Sequence, residues 1–518
     1  MNWKRIIPAA VAVSLVVGSL AGCGNKTTQS EQGNHLTYWK PFYAHYTQLV
    51  SNYGETPFYQ EVQKRTNTEL EFIHPAPGQE AEAFNLLMVS RDLPDIIDYS
   101  DGFKKVYKGG TEAAVKDGVI LDLTDIIKEK APNYSKVLAS NPEWEKAAKT
   151  DSGKNTLFAS IAKDKSMQFW QGLQIRMDYL EKINEARPET IDEWETVLTK
   201  FKTQLNLEFP LTLLDLASAQ NGFGAAYGWR MDTFLKNGAV HYAATEPSYK
   251  DFLVLMNKWV NNGLLDPDFS THDKKTFDSK VASGKAGAYL QSVGGGMGPF
   301  ITSTKENNPE AKLGGVKYPV LVKGQEPVFG FYGNMCDSEI GTAITTACKN
   351  LDAAVRLLDY PYSDEGEMLY NFGTEGVSYE MVDGYPKYTE LVTNNPDGLT
   401  MQQALVMYSV SSLGAPLHDP RYFEQFQQTP EQKEAVKIWE LSDTSWFMPP
   451  VTLSEEETAK VAAKKSEVET YIKEMSVKFI MGVEPLENFE TYLETAKKMG
   501  VDEIVAAYQA AYERYQNR

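Results

Sequence analysis

The 518-residue chain is 42% hydrophobic and carries a formal net charge of −19. Such acidity argues against nucleic-acid and anionic-lipid binding, since both need basic patches. The length allows two or more domains, and the one long apolar run, 6–20, is too short and wrongly flanked for a stable membrane span.

That run has the layout of an export signal. Lys4 and Arg5 precede it, and the small-residue exit Leu20-Ala21-Gly22-Cys23 follows. The exit resembles the bacterial lipobox, in which the cysteine thiol receives a diacylglyceryl group and cleavage then leaves Cys23 as the first residue. Two acyl chains give stable anchoring. Residues 1–22 are therefore expected to be a signal peptide, whose removal takes Lys4 and Arg5 and shifts the net charge from −19 to −21. Residues 23–34 are small and polar and read as a flexible tether. The expected location is the extracellular face of the cell membrane, with the lipid anchor as the only membrane contact.

From Leu36 onward strand-like and helical patterns alternate, which predicts α/β layers. "LTYWKPF" reads as a short strand. "TPFYQEVQKRTNTELEFIHP" and "AFNLLMVSRDLPDIIDYS" each read as helix then strand, and "GVILDLTDIIKEKAPN" carries Asp122 and Thr124 as caps. Thr190-x-x-Glu193 forms a capping box ahead of one apolar face of Trp194, Val197, Leu198 and Phe201. Phe252, Leu255, Met256 and Trp259 repeat the spacing before Gly263, and Thr429-x-x-Gln432 opens a helix burying Trp439. Ser454-x-x-Glu457 starts a long helix ending near 481–482. A second helix from Pro485 keeps Ile504, Tyr508, Ala511 and Tyr515 on one face, so 451–518 predicts a helical hairpin packed on the body.

Cys336 and Cys348 remain beside Cys23, as a disulfide or as two buried thiols. The six histidines show no metal-ligand spacing, so no metal and no cofactor is expected. No G-x-S-x-G elbow occurs, and acidic pairs such as Asp95/Asp98 and Asp266/Asp268 are expected by chance among 70 acidic residues, so no catalytic residue is assigned.

The stretches "PDIIDY", "IRMDYLEK", "PETIDEWETVLTKFK", "YKDFLVLMNKWVNNGLLDPDF", "FGTEGVSYEMVDGYPKYT" and "WFMPPVTLSEEE" follow one another from about Leu36 to the C-terminus. In order and spacing the chain resembles the lipoprotein solute-binding proteins of Gram-positive carbohydrate ABC transporters, extracellular solute-binding family 1, long-chain Firmicutes branch. The resemblance implies an α/β, two-lobe, type II periplasmic-binding-protein-like hinged fold with an appended C-terminal hairpin. It places 35–157 and 288–327 in the first lobe and 158–287 and 328–450 in the second, with crossings near 155–161, 287–292 and 328–333. The implied function is capture of an oligosaccharide and delivery to permease subunits by a monomeric receptor. An anchored carbohydrate-active enzyme, or a binding or sensor lipoprotein for a solute such as a peptide, stay open as alternatives. Some relatives carry an acidic, calcium-binding-like loop where this chain has "FKTQLNLEFPLT", so no calcium site is transferred.

Sugar binding needs aromatic faces for the C–H surface of a pyranose and fixed donors and acceptors for its hydroxyls. The expected ligand-binding residues are Trp39 at the end of the first strand, Trp170 past the first crossing, and Arg176 with Asp178 in "IRMDYL". Tyr227 and Trp229 in the Gly-rich "NGFGAAYGWRMD", Tyr332 and Asn334 at the third crossing, and Tyr362, Tyr379 and Trp446 in later loops complete the set. The "GGGMG" run at 294–298 meets neither the Walker nor the Rossmann spacing, and its glycines suit backbone approach to sugar at the cleft wall.

Overall fold

The computed structural model describes residues 33–518 except 43–46, 48 and 332, so the leader, Cys23 and Tyr332 lie outside the described residues. Local sequence rules set the helices. Thr190 Oγ1 accepts from the Glu193 N–H and the Glu193 carboxylate accepts from the Thr190 N–H, both at 3.2 Å. The helix Ile191–Leu205 that follows buries Trp194, Val197, Leu198 and Phe201 and stops at Asn206 in the left-handed conformation. The same reciprocal cap opens Pro430–Trp439 and Glu455–Ile480.

Two sheets organise the described residues. The first has six strands in the order Leu417–His418, Phe158–Ala162, Cys336–Ile344, Ile96–Ile97, His35–Trp39 and Glu69–Ile73. His35–Trp39 pairs in parallel with both Glu69–Ile73 and Ile96–Ile97, while Cys336–Ile344 runs antiparallel between Ile96–Ile97 and Phe158–Ala162. The second sheet has four strands in the order Leu313–Gly315, Gln171–Arg176, Ala286–Ser292 and Phe209–Leu211. Each sheet builds its own core. Leu36, Val62, Ile161 and Tyr362 pack in the first, and Leu173, Trp194, Trp259 and Leu290 in the second.

The chain passes between the sheets at 163–170, at 316–335 and at 419–429. The sequence reading puts 288–327 in the first lobe, and the strand register corrects it. Ala286–Ser292 has neighbours on both sides, with Ser292 opposite Gln171 in one pairing and Ala288 opposite Leu211 in the other. The apolar run thus continues through the second sheet at the point where the resemblance implies a crossing. Leu313–Gly315 closes that sheet's edge on Gln171–Arg176. Conversely, Cys336–Ile344 and Leu417–His418, read as second-lobe segments, are strands of the first sheet.

The C-terminal region is three α-helices, Glu455–Ile480, Phe489–Met499 and Val501–Gln516, where the sequence spacing predicts a two-helix hairpin. Gly500, at φ +105°, breaks the second arm, a conformation that L side chains rarely adopt. The helices sit on the second lobe. Tyr249 Oη lies 2.8 Å from Ser476 Oγ, and the Asn257 amide donates to the Phe479 and Ile480 carbonyls at 3.1 Å. Cys336 and Cys348 are unpaired thiols, and burial pushes both up, Cys348 to about 12.

Candidate functional site

The three crossing segments meet at a cavity of about 420 Å³ whose walls come from both sheets. Ser160, Ile340 and His418 face it from the first sheet, and Ser292 from the end of the second. Trp170 stands on the wall at the end of the first crossing, 41% exposed, its ring 6.0 Å from that of Phe331. Gln168 and Asn334 line it from the first and second crossings, and Gln168 donates to the Gly333 carbonyl, joining the two. Tyr422, Phe423 and Phe426 supply an aromatic wall from the third.

The polar groups of this wall are unevenly satisfied. Ser160 Oγ donates to the Ala415 carbonyl at 3.2 Å and lies 3.2 Å from His418 Nε2. With its single hydroxyl proton on Ala415, Ser160 accepts from the Nε2–H, which leaves Nδ1 as an acceptor. Nδ1 is buried and has no partner, and neither has Ser412 Oγ on the same wall. Burial pushes the His418 imidazole down to about 4, so it is neutral across physiological pH. Buried polar atoms without partners cost about 1–3 kcal/mol each, a debt that a hydroxylated ligand would relieve. Asp337, also on the wall, is held by Lys104.

A second cavity of about 430 Å³ opens in the first lobe where His35–Trp39 ends. It is lined by Tyr38, Lys40, Asp98 and Tyr99 among others, and it shares Ser160 and Ile340 with the first. The two spaces therefore adjoin along Phe158–Ala162 and Cys336–Ile344.

Of the residues singled out from sequence, the structure places Trp170 and Asn334 at this cleft. The others described are elsewhere. Trp39 is buried in the first lobe between Phe84 and Tyr99, at 6.0 and 5.3 Å. Arg176 and Asp178 hold each other through two hydrogen bonds of 2.8 and 2.7 Å, buried, with the guanidinium 3.8 Å above the Tyr179 ring. Trp229 is 0% exposed against Tyr249 and Phe252, at 5.0 and 5.1 Å. Tyr227 packs beside it on Phe252. Tyr362 is buried, donating to the Ala159 carbonyl at 2.7 Å, and Tyr379 is buried against Phe372. Trp446 stacks on Phe234 with Lys236 over its ring. None of those rings lines the cavity. Of the glycine run, Gly294 and Gly295 reach the wall, but Gly294 lies against the Phe426 ring and Gly295 faces Gln402.

His418, Ser160, Ser412 and the Tyr422–Phe426 wall escape sequence reasoning. "APLHDPRYFEQF" has neither strand alternation nor metal spacing, and the strand Leu417–His418 is two residues long. Among the described residues no cluster of three or more His, Cys, Asp or Glu side chains could hold a metal ion, and no helix is long and apolar enough to cross a membrane. The connection from Ile191–Leu205 to Phe209–Leu211 is only residues 206–208.

No family model matches the chain. It is 24% identical to lipoprotein LipO of Bacillus subtilis over 97% of this chain and 98% of that protein. It is 23% identical to the fructooligosaccharide ABC transporter substrate-binding protein FusA of Streptococcus pneumoniae over 100% and 99%. Among solved structures, the alginate-binding protein AlgQ2 without calcium ion superposes with a TM-score of 0.77 at 23% identity, covering 94% of this chain and 100% of that one. Along its described length the chain has the two-lobed fold of the extracellular solute-binding proteins, and it resembles the lipoprotein substrate-binding proteins of ABC transporters from end to end.

Proposed function

We propose that this chain is a lipid-anchored extracellular receptor that captures an oligosaccharide between its lobes and delivers it to the permease of an ABC transporter. The observation that carries the reading is the cavity lined from both sheets, with an exposed indole at Trp170 and the unpartnered His418 Nδ1 and Ser412 Oγ on one wall. Trp170 would stack on the apolar face of a sugar ring. His418 Nδ1 would accept from a hydroxyl, while Gln168, Asn334 and Gln402 add amide donors and acceptors. A ligand touching both walls binds the closed arrangement better than the open one and shifts the population toward it. The permease then reads that closed form.

The receptor acts as a monomer and performs no catalysis of its own. Glycoside cleavage needs two carboxyl groups about 5–10 Å apart across the scissile bond. Among the described residues of the interlobe cavity wall the one carboxylate is Asp337, ion-paired to Lys104, and in the adjoining cavity Asp98 and Asp101 are ion-paired to Lys40 and Lys105. The anchor is the acylated Cys23 at the head of the tether.

A thermal-shift screen of oligosaccharides against peptides, followed by titration calorimetry and chromatography of the recovered sugar, tests the reading. The expected result is stabilisation by an oligosaccharide that is recovered intact. Stabilisation by peptides alone, or recovery of shorter products, would overturn it.

A further inference from the structure

The charge inventory of the cleft bears on which oligosaccharide it accepts. On the interlobe wall, among the described residues, Asp337 is the only side chain charged at neutral pH, and it is negative. In the adjoining first-lobe cavity three carboxylates, Glu80, Asp98 and Asp101, face a single ammonium, Lys40.

Four cations on or beside these walls are held by carboxylates, while Lys165, on the turn that leads into Met167 and Gln168, lies 6.0 Å from the Phe169 ring. Lys40 is bound to Asp98 and Lys104 to Asp337. Lys163, one residue past the strand that joins the cavities, pairs with Glu367 at 2.6 Å. Arg421, beside Tyr422 on the aromatic wall, is held by Asp419. Asp419 itself is buried. Turning any of these four paired cations toward a ligand would strand a carboxylate, and where that carboxylate is buried the loss is severe.

The groups that do await a partner are neutral. His418 Nδ1 is an acceptor on an imidazole held uncharged by burial, and Ser412 Oγ is a hydroxyl. An acceptor calls for a donor, and a sugar hydroxyl is one, whereas an ionised carboxylate accepts only and would meet the Nδ1 lone pair without a bond. A carboxylate carried into this cleft would lose its water, find no cation among the described residues of the interlobe wall, and face Asp337 and the carboxylates of the neighbouring space. A desolvated charge without a counter-ion is strongly disfavoured, and like charges brought together in an interface add to that penalty.

We infer that the ligand is an uncharged oligosaccharide, and that the cleft rejects uronate-bearing chains. The inference rests on the oligosaccharide-receptor reading above and narrows it. The two adjoining cavities, at about 420 and 430 Å³, give room for more than one ring along the Ser160–Ile340 seam.

The test uses the full extracellular chain and a matched pair of ligands. Galacturonan oligomers and the same oligomers after reduction of their carboxyl groups keep linkage and length while losing charge. Both are titrated calorimetrically at low ionic strength, alongside a panel of neutral fructo-, gluco- and galacto-oligosaccharides. The expected result is binding of at least one neutral oligosaccharide, reduced or natural, at least about 100-fold tighter than any uronate chain. Uronate binding equal to or tighter than the best neutral ligand overturns the inference and leaves the receptor reading standing. A neutral preference of less than about 10-fold also overturns it, because a charge without a counter-ion cannot be so well tolerated in a desolvated cleft. Failure of every sugar to bind removes both the receptor reading and this inference.

Discussion

Asp151 of the first lobe accepts a hydrogen bond from Arg514 of the last helix at 2.6 Å, although the body of the C-terminal helices rests on the second lobe. Asp151 lies on the turn before Phe158–Ala162. It also holds Arg518, and its N–H donates to Thr452 Oγ1 at 2.7 Å. The C-terminal arm is therefore tied to both lobes. The Asp151 side chain is nearly buried, so removing it leaves Arg518 without its carboxylate, while Arg514 keeps Glu457. Asp151→Ala should lower stability by about 1–3 kcal/mol, read as a drop in the denaturant midpoint. An unchanged midpoint would show that this tie contributes nothing.

Glu339 sets a pH dependence of stability. It is buried on Cys336–Ile344 and accepts from the Thr111 hydroxyl at 2.8 Å, and burial pushes its carboxyl from the ordinary 4.5 up to about 7. The folded state thus holds this proton more tightly than the unfolded chain. The contribution is fully present below pH 4.5 and is lost as pH rises through 7, a decline of up to about 3 kcal/mol. Unfolding measured from pH 4.5 to 7.5 should show that this decline is absent in Glu339→Gln. The same slope in both proteins would contradict the assignment.

Trp229 should behave as a core residue. Truncating a buried tryptophan costs about 3–5 kcal/mol. Trp229→Ala and Trp194→Ala are each expected to lower the melting temperature markedly. Near-normal melting of Trp229→Ala with lost ligand binding would put the ring back in the site.

These two tryptophans also show how far the sequence is legible. Trp194 is readable because it follows a capping box and shares a helical face with Val197, Leu198 and Phe201, so one helix declares its burial. Trp229 has no such face. The glycines around it read as a loop that frees the ring, yet Gly224 does the reverse, since a Cβ there would collide with the indole. The missing side chain is what admits the ring beneath Tyr249 and Phe252. Trp39 is similar, because a strand end followed by Pro41 reads as an opening, while its burial comes from Phe84 and Tyr99, distant in sequence. The layered α/β class and the caps are local properties and can be read. The lobe boundaries and the orphaned His418 Nδ1 depend on which strands pair across hundreds of residues, and no local pattern reports that.

Anchoring should depend on Cys23 alone, as its sulfur is the one proposed attachment point. Cys23→Ala is expected to release the protein from the membrane fraction, or to leave it unprocessed, with the folded domain melting normally. Unchanged membrane retention of a processed mutant would contradict the lipid anchor.

Paired titrations of Trp170→Ala and His418→Leu ask whether the interlobe wall binds the sugar. Trp170 is exposed and its loss opens no core cavity, while His418→Leu removes the orphaned Nδ1 acceptor and gives up one weak bond to Ser160. With an oligosaccharide that binds the unmodified chain, each substitution should weaken affinity by at least about 10-fold, with the melting temperature of the free Trp170→Ala protein unchanged. Unaltered affinity in both variants would place the sugar away from this wall.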